Sequence, residues 1–151
     1  MPYWRLFYHI VWATKDREPS IQDVFAEALH HRIGQKATQL GATVHAVGGV
    51  EDHVHLAVSV PPSLALSEFV RQIKGSSSHF LNHELDTPIN FTWQPDYGVI
   101  SLDSKQLDQV VQYVQEQRQH HGQRTTIPVM ERMSQEEEVG KTKAKANREP
   151  S

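Results

Sequence analysis

Residues 51–62 allow little besides a β-strand with two unlike faces. Glu51 and Asp52 lead into His53, Val54, His55, Leu56, Ala57, Val58, Ser59 and Val60, and Pro61 and Pro62 stop the run. Strand side chains alternate, so Val54, Leu56, Val58 and Val60 line one face, while His53, His55, Ala57 and Ser59 line the other. The valine face can be buried. The histidine face is small and polar, suited to a surface where a ligand docks, and two neutral imidazoles side by side are a ligand pair for a divalent ion. The plainer alternative is two solvated histidines on an open sheet, because the chain carries 10 His in all.

The flanking segments supply the rest of a small fold. Trp4, Leu6, Tyr8, Ile10 and Trp12 alternate with Arg5, Phe7, His9, Val11 and Ala13, which predicts a strand over Tyr3–Thr14. After Pro19 and Ser20, apolar residues from Ile21 to Leu40 recur at helical spacing and stop at Gly41. Thr43–Val50 predicts a second strand, with Gly48 and Gly49 marking a bulge or tight turn, and it forms a hairpin with the histidine strand. Beyond Pro62, Ser63 or Ser67 can cap a helix holding Leu64, Leu66, Phe69, Val70, Ile73, Phe80 and Leu81, interrupted by Gly75, Ser76, Ser77 and Ser78. A fourth, irregular strand is expected within Phe91–Leu102, and Ser104 then caps a last helix of roughly Lys105–His121.

This β-α-β-β-α-β order with one more helix is the split β-α-β pattern of an α+β, ferredoxin-like (RRM-like) antiparallel sheet. Its first and third strands are central, so the histidine pair falls mid-sheet on the face the first two helices leave open. The last helix is free to cover that face. Residues 1–128 read as the domain and residues 129–151, with blocks of Glu and Lys, as a disordered charged tail.

Composition narrows the function. A chain of 151 residues is one domain, and the absence of Cys excludes disulfides and thiolate zinc sites. No apolar run is long enough to span a bilayer and no secretory leader is visible, so a cytoplasmic protein with no membrane partner is expected. Net charge is −3, and residues 131–151 hold five basic and five acidic side chains, so the surplus acid lies in the folded part. Affinity for nucleic acid usually rests on a basic field. A DNA role here must use local basic residues, stacking and a metal.

On the last helix Leu107, Val110, Val111 and Val114 form an apolar stripe. Tyr113 and Gln117 stand four positions apart on one flank of it, with His120 beside them. In the ordinary reading Tyr113 borders a core and Gln117 is solvated. If the stripe packs beside His53 and His55, a phenol and a carboxamide instead point at the imidazoles. A carboxamide oxygen is a ligand for Mg²⁺ or Mn²⁺, and a phenol near a Lewis acid is a nucleophile toward a phosphodiester.

These motifs come in an order that resembles the HUH single-tyrosine transposases of small bacterial insertion sequences, including REP-associated ones. Besides the His-Val-His strand and its Pro-Pro exit, the resemblance rests on Tyr8 to Lys15, Phe69 to Ser77, Trp93 to Tyr97 and Tyr113 to Gln117, and covers the chain to about Gln123. It implies a ferredoxin-like homodimer that cuts and rejoins single-stranded DNA with hairpin-forming ends through a 5′-phosphotyrosine and a free 3′-OH. Tyr113 would be the nucleophile, and His53, His55 and Gln117 the ligands of Mg²⁺ or Mn²⁺. In that family the tyrosine helix can serve the partner subunit. Contacts to the DNA backbone are expected at Arg71, Lys74, Ser76 and Ser77. Asp52 is read as ending the hairpin turn rather than orienting an imidazole, and His9 or His120 is available as proton acceptor. The chain departs from the family in its acidic folded part and in Gln94, Pro95 and Asp96, which lack a basic residue beside Trp93.

Other readings are poorer. A two-histidine phosphoesterase needs paired H-x-[ST] repeats, and a cupin needs many more strands. The rival of another class is a catalytically silent RRM-like nucleic-acid-binding domain, stacking bases on sheet aromatics such as Phe7.

Overall fold

The computed structural model describes residues 3–117. Four strands, β1 (Phe7–Ala13), β2 (Thr43–Val50), β3 (His53–Ser59) and β4 (Gly98–Leu102), and three helices, α1 (Asp23–Gln39), α2 (Leu66–His79) and α3 (Ser104–Gln115), alternate in the expected order. The sheet is antiparallel throughout, in the order β2-β3-β1-β4, which puts β1 and β3 at its centre. The α+β, ferredoxin-like class is therefore as expected. The proposed tail, the boundary at residue 128 and His120 lie outside the described residues. Among the described residues no helix is long and apolar enough to cross a membrane.

Local chemistry explains where the elements stop. Helix α1 ends in a Schellman turn: Gly41 takes a φ of 91° that suits a residue without a Cβ, and the N–H groups of Gly41 and Ala42 donate to Thr38 and Ala37 carbonyls. Helix α3 begins not at a Ser104 cap but at Asp103, whose carboxylate accepts from the Gln106 N–H at 2.7 Å while the Gln106 side chain accepts from the Asp103 N–H at 3.0 Å. Neither Ser63 nor Ser67 caps α2; Ala65 stands at its N-cap without a side-chain bond.

The small residues inside α2 do not interrupt it. Ser77 donates to the Ile73 carbonyl at 2.8 Å and Ser78 to the Gly75 carbonyl at 3.2 Å, so their hydroxyls are satisfied inside the helix. The helix widens only afterwards, into a single π turn over Phe80–Glu84. The bulge in β2 falls between Val44 and Ala46, not at the glycine pair.

Two cores sandwich the sheet. Under α1 and α2, Ile10, Trp12, Val54, Leu56 and Val58 meet Leu29, Ile33, Phe69 and Ile73. On the opposite face Leu107, Val110 and Val114 of α3 pack on Ala46 and Ala57. Small side chains at the sheet positions let the helix sit low. Gly48 goes further, because a Cβ there would stand 2.6 Å from the Val114 carbonyl oxygen. Backbone against backbone cannot yield cheaply. Gly48→Ala is expected to lift the end of α3 and cost about 1–3 kcal/mol through overpacking, read from urea melts. The same substitution at Gly34, where nothing lies within 4 Å of the added atom, serves as the tolerated control.

Candidate active site

β3 delivers both imidazoles to the face under α3. The first expectation needs correcting here: the histidine face is not an open docking surface. His53 is 2% exposed and His55 fully buried, so the solvated-pair alternative fails as well. Their rings stand 5.0 Å apart between centroids at 69°.

Each imidazole is held at Nδ1 by a different kind of neighbour. His53 Nδ1 lies 2.6 Å from an oxygen of Asp52, the last residue of the turn. Asp52 therefore does orient an imidazole, contrary to the reading of it as a turn residue. A carboxylate accepts the Nδ1 proton, which leaves Nε2 as the nitrogen bearing the lone pair. His55 Nδ1 lies 2.7 Å from Nε2 of His9, on the neighbouring strand β1. Periodicity alone could not announce that pair, since it depends on the register that sets His9 opposite Ala57.

Helix α3 brings Tyr113 onto this patch. The phenol ring is 3% exposed and sits edge-on to His55, with centroids 5.8 Å apart at 74°. Gly48, the register partner of His55 on β2, is the space that allows it. Gln117 is 2% exposed, and among the described residues neither Oε1 nor Nε2 of its carboxamide has a hydrogen-bond partner. Burying an amide unpaired costs about 1–3 kcal/mol, so a carboxamide in this position is available to a further partner. Among the described residues no group of three or more His, Asp or Glu is arranged to hold a metal ion. A third donor beside the imidazoles would have to be a neutral oxygen such as this one.

The residues assigned to DNA contacts fare differently. Arg71 is exposed and pairs with Glu68 at 2.8 Å, and Ser76 is half-buried. Ser77 is fully buried and accepts the Trp93 indole N–H at 2.9 Å, so its hydroxyl works inside the protein. The Lys74 amine donates to the Gln94 and Asp96 carbonyls at 2.6 and 2.7 Å, tying that loop to α2.

The family model described as "Transposase IS200 like" matches residues 2–117 of this fold and site. The chain belongs to that family. The ISDra2 transposase TnpA of Deinococcus radiodurans is 28% identical over 119 residues, covering 76% of this chain and 85% of the relative. A solved candidate transposase from Deinococcus radiodurans R1 superposes with a TM-score of 0.59 at 28% identity, over 78% of this chain and 95% of the other. A REP-associated tyrosine transposase, solved bound to a REP hairpin, shares the fold with a TM-score of 0.60 at 19% identity, over 81% and 75% of the two chains.

Two measurements follow from burial. Because His55 is enclosed, His55→Ala is expected to cost about 1–3 kcal/mol in urea melts rather than leave stability untouched, as a solvated histidine would. Burial also pushes Lys74 down to about 8, against the pull of Asp96 in the other direction. Between pH 8 and the ordinary lysine value of 10.5 the unfolded chain then binds more protons than the folded one, so Lys74 makes stability rise with pH across that window. Lys74→Met should flatten the rise, as shown by urea melts at the two ends of the window.

Proposed function

We propose that this chain is a single-tyrosine transposase that cleaves and rejoins single-stranded DNA at hairpin-forming element ends, acting as a homodimer with Mg²⁺ or Mn²⁺. The observation that carries the reading is Tyr113 lying against His55 in a buried patch that also holds His53. An isolated phenol among imidazoles is an ordinary core contact. A phenol against His55, with a second oriented imidazole next to that ring and a carboxamide one turn further on that has no partner among the described residues, supplies the groups a metal-assisted nucleophile needs.

His53 and His55 would hold the ion through Nε2, and Gln117 through its carboxamide oxygen, a mixed nitrogen and oxygen set that suits Mn²⁺ well and Mg²⁺ acceptably. Bound there, a divalent ion would polarise the scissile phosphodiester and offset charge developing at phosphorus. Tyr113 supplies the nucleophile: its oxygen bonds to phosphorus as the bond from phosphorus to the 3′ oxygen breaks. The phenol proton leaves to solvent or a base, and the departing oxygen takes up a proton. A 5′-phosphotyrosine and a free 3′-OH result. Attack by a 3′-OH on that ester reverses the exchange, and because phosphoester bonds are conserved no ATP is required.

A phosphodiester reaches Tyr113 only if α3 shifts off the sheet, since the phenol and both imidazoles are enclosed. For backbone contacts Arg71 and Ser76 are the accessible candidates. Gly75 between Lys74 and Ser76 supports this, because nothing lies within 4 Å of where its Cβ would stand. Lys74 would contribute through the loop it anchors. The REP hairpin held by the fold neighbour supports a hairpin substrate.

A silent base-stacking domain is disfavoured by α3. The sheet face on which an RRM-like domain stacks bases is covered by this helix, and Phe7 is half-buried there, edge-on to His45.

Incubation with end-labelled, hairpin-bearing single-stranded DNA from the flanks of the gene, with Mn²⁺, is expected to leave label covalently on the protein. Tyr113→Phe should abolish the transfer while DNA binding persists. Labelling that survives in the phenylalanine variant would remove Tyr113 from the mechanism. Binding by the wild type without any transfer would favour the silent domain.

A further inference from the structure

His9 is enclosed at 1% exposure in the centre of the sheet, where an apolar side chain would fill the space without the cost of burying a polar ring. Its ring and that of His55 are 22° from parallel with centroids 5.0 Å apart, while Nε2 of His9 and Nδ1 of His55 approach to 2.7 Å. The rings therefore meet edge to edge near a common plane, which is how an imidazole N–H reaches another imidazole's lone pair. At that separation a single proton stands between the two nitrogens, because two lone pairs or two N–H groups would repel.

We propose that His9 is a positioning residue for His55: its Nε2 accepts the His55 Nδ1 proton, fixing the ring and the tautomer in which His55 Nε2 can bind a divalent cation. This rests on the metal-binding reading above. The opposite placement, with the proton on His9 Nε2, would put the proton of neutral His55 on Nε2 and block coordination. His53 has its tautomer set by the Asp52 carboxylate; His55 relies on a second imidazole. An outer partner of this kind commonly contributes tenfold or more to metal affinity.

The test is Mn²⁺ titration of the full chain by calorimetry, with thermal melts alongside, for the wild type, His9→Phe, His9→Gln and His53→Ala. His9→Phe keeps a ring but no acceptor and is expected to weaken Mn²⁺ binding by about 10–100-fold. His9→Gln, whose carboxamide oxygen can stand where Nε2 does, should recover most of that loss. Wild-type affinity in His9→Phe, or a glutamine variant as weak as the phenylalanine one, overturns the proposal while leaving the metal site standing. A wild type that binds no Mn²⁺, or binding that survives His53→Ala, defeats the metal-site reading and this inference with it. If His9→Phe fails to fold, long-range ¹H–¹⁵N spectra of the wild type with Mg²⁺ decide: the proton on His55 Nδ1 supports the role, and the proton on His9 Nε2 overturns it.

Discussion

The site depends on one packing contact, the seating of α3 on the histidine face of the sheet. Leu107, Val110 and Val114 find the small side chains of Ala46 and Ala57 beneath them, with Phe7 and Leu102 at the margin, and Gly48 offers no side chain at all, so the helix backbone comes down onto β2. The apolar stripe supplies the drive, since burying it is worth about 25 cal/mol per Å² removed from water. Tyr113 is carried along by the same helix, and its contact with His55 follows from where the stripe must lie. Other features serve this seating: the Asp103 and Gln106 capping box fixes where the helix starts, and the antiparallel pairing of β1 with β3 and β4 fixes what it starts from.

A polar pair buried under a helix needs partners, and the fold supplies two unlike ones. Asp52 can hold His53 because a tight hairpin turn places adjacent residues at the end of the strand. His9 can hold His55 because two central strands run side by side. The enclosure that orients these rings also shuts them away, so the proposed mechanism would require α3 to open before a phosphodiester could enter. The proposed DNA binding would have little basic field to draw on, and Arg71 already pairs with Glu68.

Much of this was readable from residue order. Strand and helix periodicity placed three strands and three helices, the irregular fourth strand was expected only within Phe91–Leu102, and the spacing of Tyr113 and Gln117 from the apolar stripe put both at the edge of the helix-sheet contact. What escaped were roles decided by partners distant in sequence. Ser77 reads as one of several small polar residues open to a phosphate, yet the Trp93 indole 16 residues away claims it from inside the core. Gly48 reads as part of a bulge or tight turn, and only the approach of Val114 shows why a side chain is excluded there. Ser104 reads as a natural cap; Asp103 outcompetes it because its carboxylate reaches the Gln106 N–H while Gln106 reaches back.

The amino-acid order by itself determined which groups are present and which face each occupies, because alternation in strands and the 3.6-residue turn of a helix are properties of the local backbone. It thereby determined that two imidazoles share a sheet face and that a phenol borders an apolar stripe. Only the tertiary structure decided that the face is closed, that His9 meets His55 and that the phenol meets it too. Those outcomes depend on strand register and on the height at which a helix rests, quantities set by side chains from four separate segments packing at once.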